Sequence, residues 1–173
     1  MTILDRLADH ARERVAEKKA ELSLTDMKRK ALVLPKGNFP FEKALGASAV
    51  LLICAISTAK QLRDWLPLCD TLGLSALVEA HDAAEIETAL RAGARIVGVN
   101  NRDLKDFTVD TGNARRLRSL VPEGVLFVSE SGIRTAQDAA EARRAGADAV
   151  LVGEALMRSA DRRTKLAELR GTP

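Results

Sequence analysis

The sequence predicts an α/β protein built from consecutive βα units around a parallel sheet, and three observations carry that expectation. One short grammar recurs four times: Leu45-Gly46-Ala47-Ser48-Ala49-Val50, Leu72-Gly73-Leu74-Ser75-Ala76-Leu77, Ala92-Gly93-Ala94-Arg95-Ile96-Val97 and Ala145-Gly146-Ala147-Asp148-Ala149-Val150. In each, a glycine suited to the left-handed position that ends a helix is followed within a few residues by an apolar strand. The intervening segments have helical periodicity, so strand and helix alternate as βαβ units require. Finally, Leu126 to Glu130 and Ala149 to Val152 are aliphatic runs that lead into Ser131-Gly132 and Gly153, as expected of strands buried on both faces.

From the N-terminus, Ile3, Leu7, Ala8, Ala11 and Val15 fall near helical spacing and predict one amphipathic helix from about Ile3 to Leu22. A shorter helical stretch is expected over Leu24 to Leu34. Pro35-Lys36-Gly37-Asn38-Phe39-Pro40 breaks it, and Phe41 to Leu45 reads as one more helical turn. Strands are then expected over Ala49 to Cys54, over Ser75 to Val78 ending in Glu79, from Ile96, over Val125 to Glu130 and over Ala149 to Gly153. Helices are expected over Ser57 to Thr71, Ala83 to Ala92, Gly112 to Leu120 and Thr135 to Ala145. Asp82-Ala83-Ala84-Glu85 and Thr135-Ala136-Gln137-Asp138 have capping-box spacing and mark two of the helix starts. Five strands in this pattern fit either part of a closed (β/α)8 barrel or an open doubly wound sheet.

A chain of 173 residues fits one domain with a real core. Its 27 basic and 24 acidic residues interleave along helices, as in Arg12-Glu13-Arg14, which speaks for solvated helix faces and against a nucleic-acid surface. The lack of tyrosine leaves little for base stacking. No apolar run approaches the roughly 18 residues of a membrane span, and Met1 to Arg6 enters a charged amphipathic pattern, so the expected location is the cytoplasm. Cys54 and Cys69 sit in no metal-like or redox-like spacing and read as small buried apolar side chains.

In either architecture the chemistry lies at the carboxyl ends of the strands. Glu79 ends an apolar strand, where partial desolvation suits a carboxyl to acid and base work; capping a neighbour or pairing with Arg102 is the structural alternative. Asn100 and Arg102 offer an amide and a planar guanidinium to a carboxylate-bearing or polyhydroxylated substrate, although Arg102 could equally pair with Asp103 or Asp106. His81 is read as structural, because Asp82 is better used as a helix cap. The glycine-bearing ends near Gly132 and Gly153, side by side, would form a phosphate cradle. No pattern calls for a metal or a cofactor.

Gly98-Val99-Asn100-Asn101-Arg102-Asp103-Leu104, preceded by Leu77-Val78-Glu79-Ala80-His81-Asp82 and followed by Val128-Ser129-Glu130-Ser131-Gly132-Ile133 and Val152-Gly153-Glu154-Ala155-Leu156-Met157, closely resembles the indole-3-glycerol phosphate synthase family. The resemblance implies a TIM (β/α)8-barrel fold, truncated to about five parallel βα units plus an N-terminal helical extension. Residues 1–45 resemble the extension and 46–173 the fourth to eighth units, together one partial barrel domain. It further implies a lyase of tryptophan biosynthesis that needs no cofactor, closing the ring of 1-(2-carboxyphenylamino)-1-deoxyribulose 5-phosphate with loss of CO2 and water. Glu79 resembles the catalytic glutamate of proton transfer, and Asn100 and Arg102 resemble residues that contact substrate near the reacting ring. Ser131 resembles a further substrate contact, and the backbone around Gly132, Ile133, Gly153 and Glu154 the phosphate site.

The family's first three strands, with their Glu, Lys and Ser-Pro-Ser-Lys-Gly type loop and the general-acid lysine, have no counterpart between Leu45 and Gly46. The alternative reading is therefore a non-catalytic phosphate-binding module that self-associates through exposed sheet edges. A phosphoribosyl isomerase is a weaker alternative, disfavoured by the Asn100-Asn101-Arg102-Asp103 motif.

Overall fold

The computed structural model describes residues 3–23, 25, 26, 29 and 49–171. The expected break over 35–40 and the turn over 41–45 lie outside the described residues, as does most of the stretch 24–34. The elements are α1 (Ile3–Glu21), β1 (Ala49–Ile53), a 3-10 turn (Cys54–Ile56), α2 (Ala59–Thr71), β2 (Ser75–Ala80), α3 (Ala83–Ala92), β3 (Ile96–Asn100), α4 (Asn113–Leu117), β4 (Leu126–Glu130), α5 (Ala136–Arg144), β5 (Ala149–Leu151), α6 (Glu154–Met157) and α7 (Arg162–Arg170). All five strands are parallel and stand in chain order, β1-β2-β3-β4-β5. This is the expected α/β architecture.

Period-two alternation gives the sheet two unlike faces. One carries Val78, Val97, Val99 and Phe127, each 0% exposed or nearly so, packed with Leu62 of α2 and Ile86 of α3. Burial of an aliphatic or aromatic side chain of this size stabilises by about 1.5–3 kcal/mol, so this helix-covered face is the main core. The registers Leu51↔Leu77, Glu79↔Gly98, Gly98↔Val128 and Glu130↔Leu151 put those residues on the opposite face. There Leu51, Leu126 and Leu151 remain 47%, 53% and 42% exposed. This is the concave side, and its buried polar side chains are gathered toward the carboxyl ends of the strands. Helix α1 keeps Val15 51% exposed, and its ion pairs Arg12–Asp9 and Lys18–Glu21 lie within the helix at 2.7 Å.

Local signals set the helix boundaries. The capping box at Thr135–Asp138 forms in full, and a second forms at Thr58–Gln61. Asp82 caps the Glu85 N–H, but the Glu85 carboxylate reaches one residue further back and accepts from the His81 N–H at 2.7 Å. Most boundaries fall within two residues of the sequence reading, and three differences bear on the site and its packing. Cys54 leaves the strand for the 3-10 turn, where its thiol donates to the Glu85 carbonyl. The segment 112–120 divides into α4 and a 3-10 turn. Strand β5 stops at Leu151, two residues before Gly153. Helix α7, absent from the sequence reading, is bounded by Asp161, which caps two N–H groups, and by the left-handed Gly171.

Candidate functional site

At the carboxyl ends of β2 and β4 the concave face holds two buried carboxyls, Glu79 at 7% and Glu130 at 2% exposure. The strand between them makes this possible. Gly98 pairs in register with Glu79, and a Cβ at Gly98 would collide with the Glu130 carboxylate, so the missing side chain is the space the carboxylate occupies. Glu130 Oε1 has no hydrogen-bond partner. Burial, then the charge of Glu79 and a side-chain hydrogen bond with it, push Glu130 up to about 8. At neutral pH Glu130 therefore keeps its proton and donates toward Glu79. A protonated carboxyl hydrogen-bonded to a second carboxyl in a buried setting is suited to proton transfer.

Sequence reasoning placed Glu130 within a motif but gave it no role. The signal was there, because an acid closing an apolar strand is the same pattern that singled out Glu79.

The turn after β3 is held by its asparagines and by His81. The Asn100 side-chain oxygen accepts from the Arg102 N–H at 3.0 Å, while its carbonyl lies 2.9 Å from His81 Nδ1 and accepts from Asn113 Nδ2 at 3.3 Å. Asn101, 1% exposed, donates to Ser129 Oγ and the Ser131 carbonyl and accepts from the Ala114 N–H. It thereby pins the β3 turn to the end of β4 and to the start of α4, a role that its sequence position did not disclose. The three asparagines are buried polar groups with partners and His81 is a half-buried one, so the turn arrives at the site already ordered.

Arg102 does not pair with Glu79, Asp103 or Asp106 among the described residues. Its guanidinium donates to Glu154 at 2.8 Å and to the Phe107 carbonyl at 3.4 Å. Glu154 also meets Arg158 at 3.2 Å, and these two cations hold its carboxyl below the usual glutamate range.

The ends of β4 and β5 enclose a cleft of about 280 Å³ lined by Arg102, Ser131 to Arg134 and Leu151 to Ala155. Ser131 and Gly132 are successive left-handed residues, at φ 63° and 79°. Gly132 is required twice over, since a Cβ there would also press on Thr111 and Val109 at 2.8 and 3.0 Å. Gly153 is different: its φ is −116°, and nothing lies within 4 Å of where its Cβ would be. Its contribution is open space beside the backbone. Ile133 buries its side chain with Ala142 and Leu169, so only its main chain can face a ligand.

A larger cavity of about 510 Å³ opens between α4 and α5 over Phe127 and Ser129. It lies on the helical side of β4, facing away from Glu79, Asn100 and Glu130. The described residues contain no cluster of three or more metal-ligating side chains.

Buried carboxyls and glycine turns collected at the carboxyl ends of consecutive parallel strands define a (βα)-barrel type of protein with a cleft between its last two strands. The family model of indole-3-glycerol phosphate synthase matches residues 41–169, and the chain belongs to that family. Over 133 residues it is 59% identical to the indole-3-glycerol phosphate synthase of Ruminiclostridium cellulolyticum, an alignment covering 76% of this chain and 51% of that one. With the Leuconostoc mesenteroides enzyme of the same name it shares 51% over 129 residues, covering 75% and 49%. The chain thus spans about half the length of these relatives. The thiamine phosphate pyrophosphorylase structure from Pyrococcus furiosus superposes with a TM-score of 0.59 at 22% identity, over 75% of this chain and 61% of that one. That likeness extends to the fold alone.

Proposed function

We propose that residues 46–173 carry the fourth to eighth βα units of an indole-3-glycerol phosphate synthase, and residues 1–45 its helical extension. In this reading the chain binds 1-(2-carboxyphenylamino)-1-deoxyribulose 5-phosphate in the cytoplasm, with the phosphate in the cleft between β4 and β5. The observation that supports it is the placement of the family motifs, in order, around one end of one sheet. Gly132, Ile133, Gly153 and Glu154 present main chain to the phosphate, Ser131 makes a further substrate contact, and Asn100 and Arg102 face the ring end. Ring closure joins the carboxyl-bearing ring carbon to the ketone carbon, releases CO2 and finally eliminates the hydroxyl as water. Glu79 takes part in the proton transfers of that elimination, with the protonated Glu130 beside it. No strand among the described residues supplies the family's general-acid lysine, and the expected turnover is therefore orders of magnitude below that of a full-length relative.

The test is calorimetric titration with inorganic phosphate and with the substrate, alongside a fluorescence assay of ring closure. Saturable binding that weakens in Gly153→Val is expected, because that variant fills the cleft without crowding the protein. No saturable binding to folded protein sinks the reading. A second reading, a phosphate-binding module that self-associates, is supported by β1 and β5, each an uncharged strand with a single strand neighbour among the described residues.

A further inference from the structure

We propose that Arg134 is the cationic ligand of the phosphomonoester in the cleft between β4 and β5, and that the Glu154 carboxylate works against it. The proposal rests on the phosphate reading above and concerns which charges tune that site. A phosphomonoester is close to a dianion at neutral pH, and main-chain N–H groups alone leave most of that charge unbalanced.

The cleft has two cations in its wall, Arg102 and Arg134. Arg102 is already engaged by Glu154 at 2.8 Å. Arg134 has no side-chain hydrogen bond or ion pair among the described residues, and only the longer-range fields of Glu154 and Asp138 reach it. Its main chain is nonetheless fixed, because its N–H donates to Asp138 Oδ2 at 2.9 Å beside the cap of α5. An uncommitted guanidinium on an anchored backbone, bordering the cleft, can meet a phosphate oxygen without first breaking another contact.

The neighbouring cleft, about 360 Å³, shares Arg134, Glu154 and Ala155 and adds Arg158 and Lys165. Those two are occupied, Arg158 with Glu154 and Lys165 with Glu168 at 2.9 Å. Arg134 is therefore the cation bordering both openings that lacks an ion-pair partner among the described residues. Glu154 remains ionised at neutral pH and places one negative charge in the same wall, while also holding Arg102 back. Its removal should lower repulsion and free a second guanidinium.

The experiment is titration of the full chain with inorganic phosphate at fixed ionic strength, using wild type, R134Q, R134K, E154Q and G153V, each checked for folding by circular dichroism. R134Q is expected to weaken binding tenfold or more, with R134K recovering part of the loss. E154Q is expected to tighten binding severalfold. If R134Q binds as well as wild type while G153V loses affinity, the role of Arg134 is overturned and the phosphate site stands. If wild type shows no saturable binding, both fail. An E154Q variant with weakened affinity overturns the opposing role given to Glu154.

Discussion

Replacing Glu130 by glutamine should abolish a specific pH dependence of stability. The carboxyl stays protonated in the folded protein up to about pH 8, whereas in the unfolded chain it titrates near 4.5. Between those values the folded state binds the extra proton, so stability falls as pH rises, by up to about 1.4 kcal/mol per pH unit. Below the unfolded value the contribution is fully present, and above the folded value it is fully lost. Across the window stability therefore falls steadily as pH rises. Glu85, raised by its own burial, adds a slope of the same sign, so the informative quantity is the difference between wild type and variant.

Urea unfolding at pH 5, 7 and 8.5 reads it directly. Wild type should lose midpoint steadily across this range, and Glu130→Gln, which fits the same space beside Gly98 without titrating, should lose far less. Glu79→Gln should reduce the slope without removing it, because burial precedes the charge of Glu79 among the causes. An unchanged slope in Glu130→Gln would refute the argument.

Gly98→Ala should destabilise by about 1–3 kcal/mol through collision with Glu130, and should cost much less in a Glu130→Ala background; chemical denaturation of the four-member cycle measures the coupling. Leu62→Ala, at a side chain 0% exposed, should cost about 2–5 kcal/mol in the same assay. The Cys54 thiol, pushed up to about 12 by burial and then by the charges of Glu85, Glu79 and Asp82, should be alkylated at pH 8 on the order of a thousandfold more slowly than a free cysteine until the protein unfolds. Light scattering should find oligomers, since β1 and β5 have one strand neighbour each among the described residues and lack protective charges; a monodisperse monomer with one steep unfolding transition would argue against edge pairing.

The repeated units were legible because their signals are local. A glycine that must be left-handed, a threonine or aspartate three residues before its backbone partner, and an unbroken aliphatic run each act within a few residues. Hence α3 and the starts of α2 and α5 fall within two residues of expectation. The site was legible where a motif residue keeps to itself, as Gly132 does. It was not legible where function depends on what the neighbouring strand lacks. Glu130 is buried because Gly98, over thirty residues away in sequence, leaves room for it. Arg102 has its partner in Glu154, two strands along the sheet, whereas the nearer Asp103 and Asp106 were the partners that the sequence offered. Such pairings follow from strand order, which no local window contains.

That strand order equals chain order has a further consequence. Among the described residues each strand pairs through its backbone only with the strand before it and the strand after it, as in a stacked array, and no strand is inserted between two older neighbours. Cohesion in such a sheet is close to a sum over adjacent interfaces. A perturbation at one rim is felt most by its neighbour and fades along the row. The proton-sharing carboxyls straddle the middle strand, the position best insulated from both rims, so hydrogen exchange should be slowest in β3 and quicken toward β1 and β5.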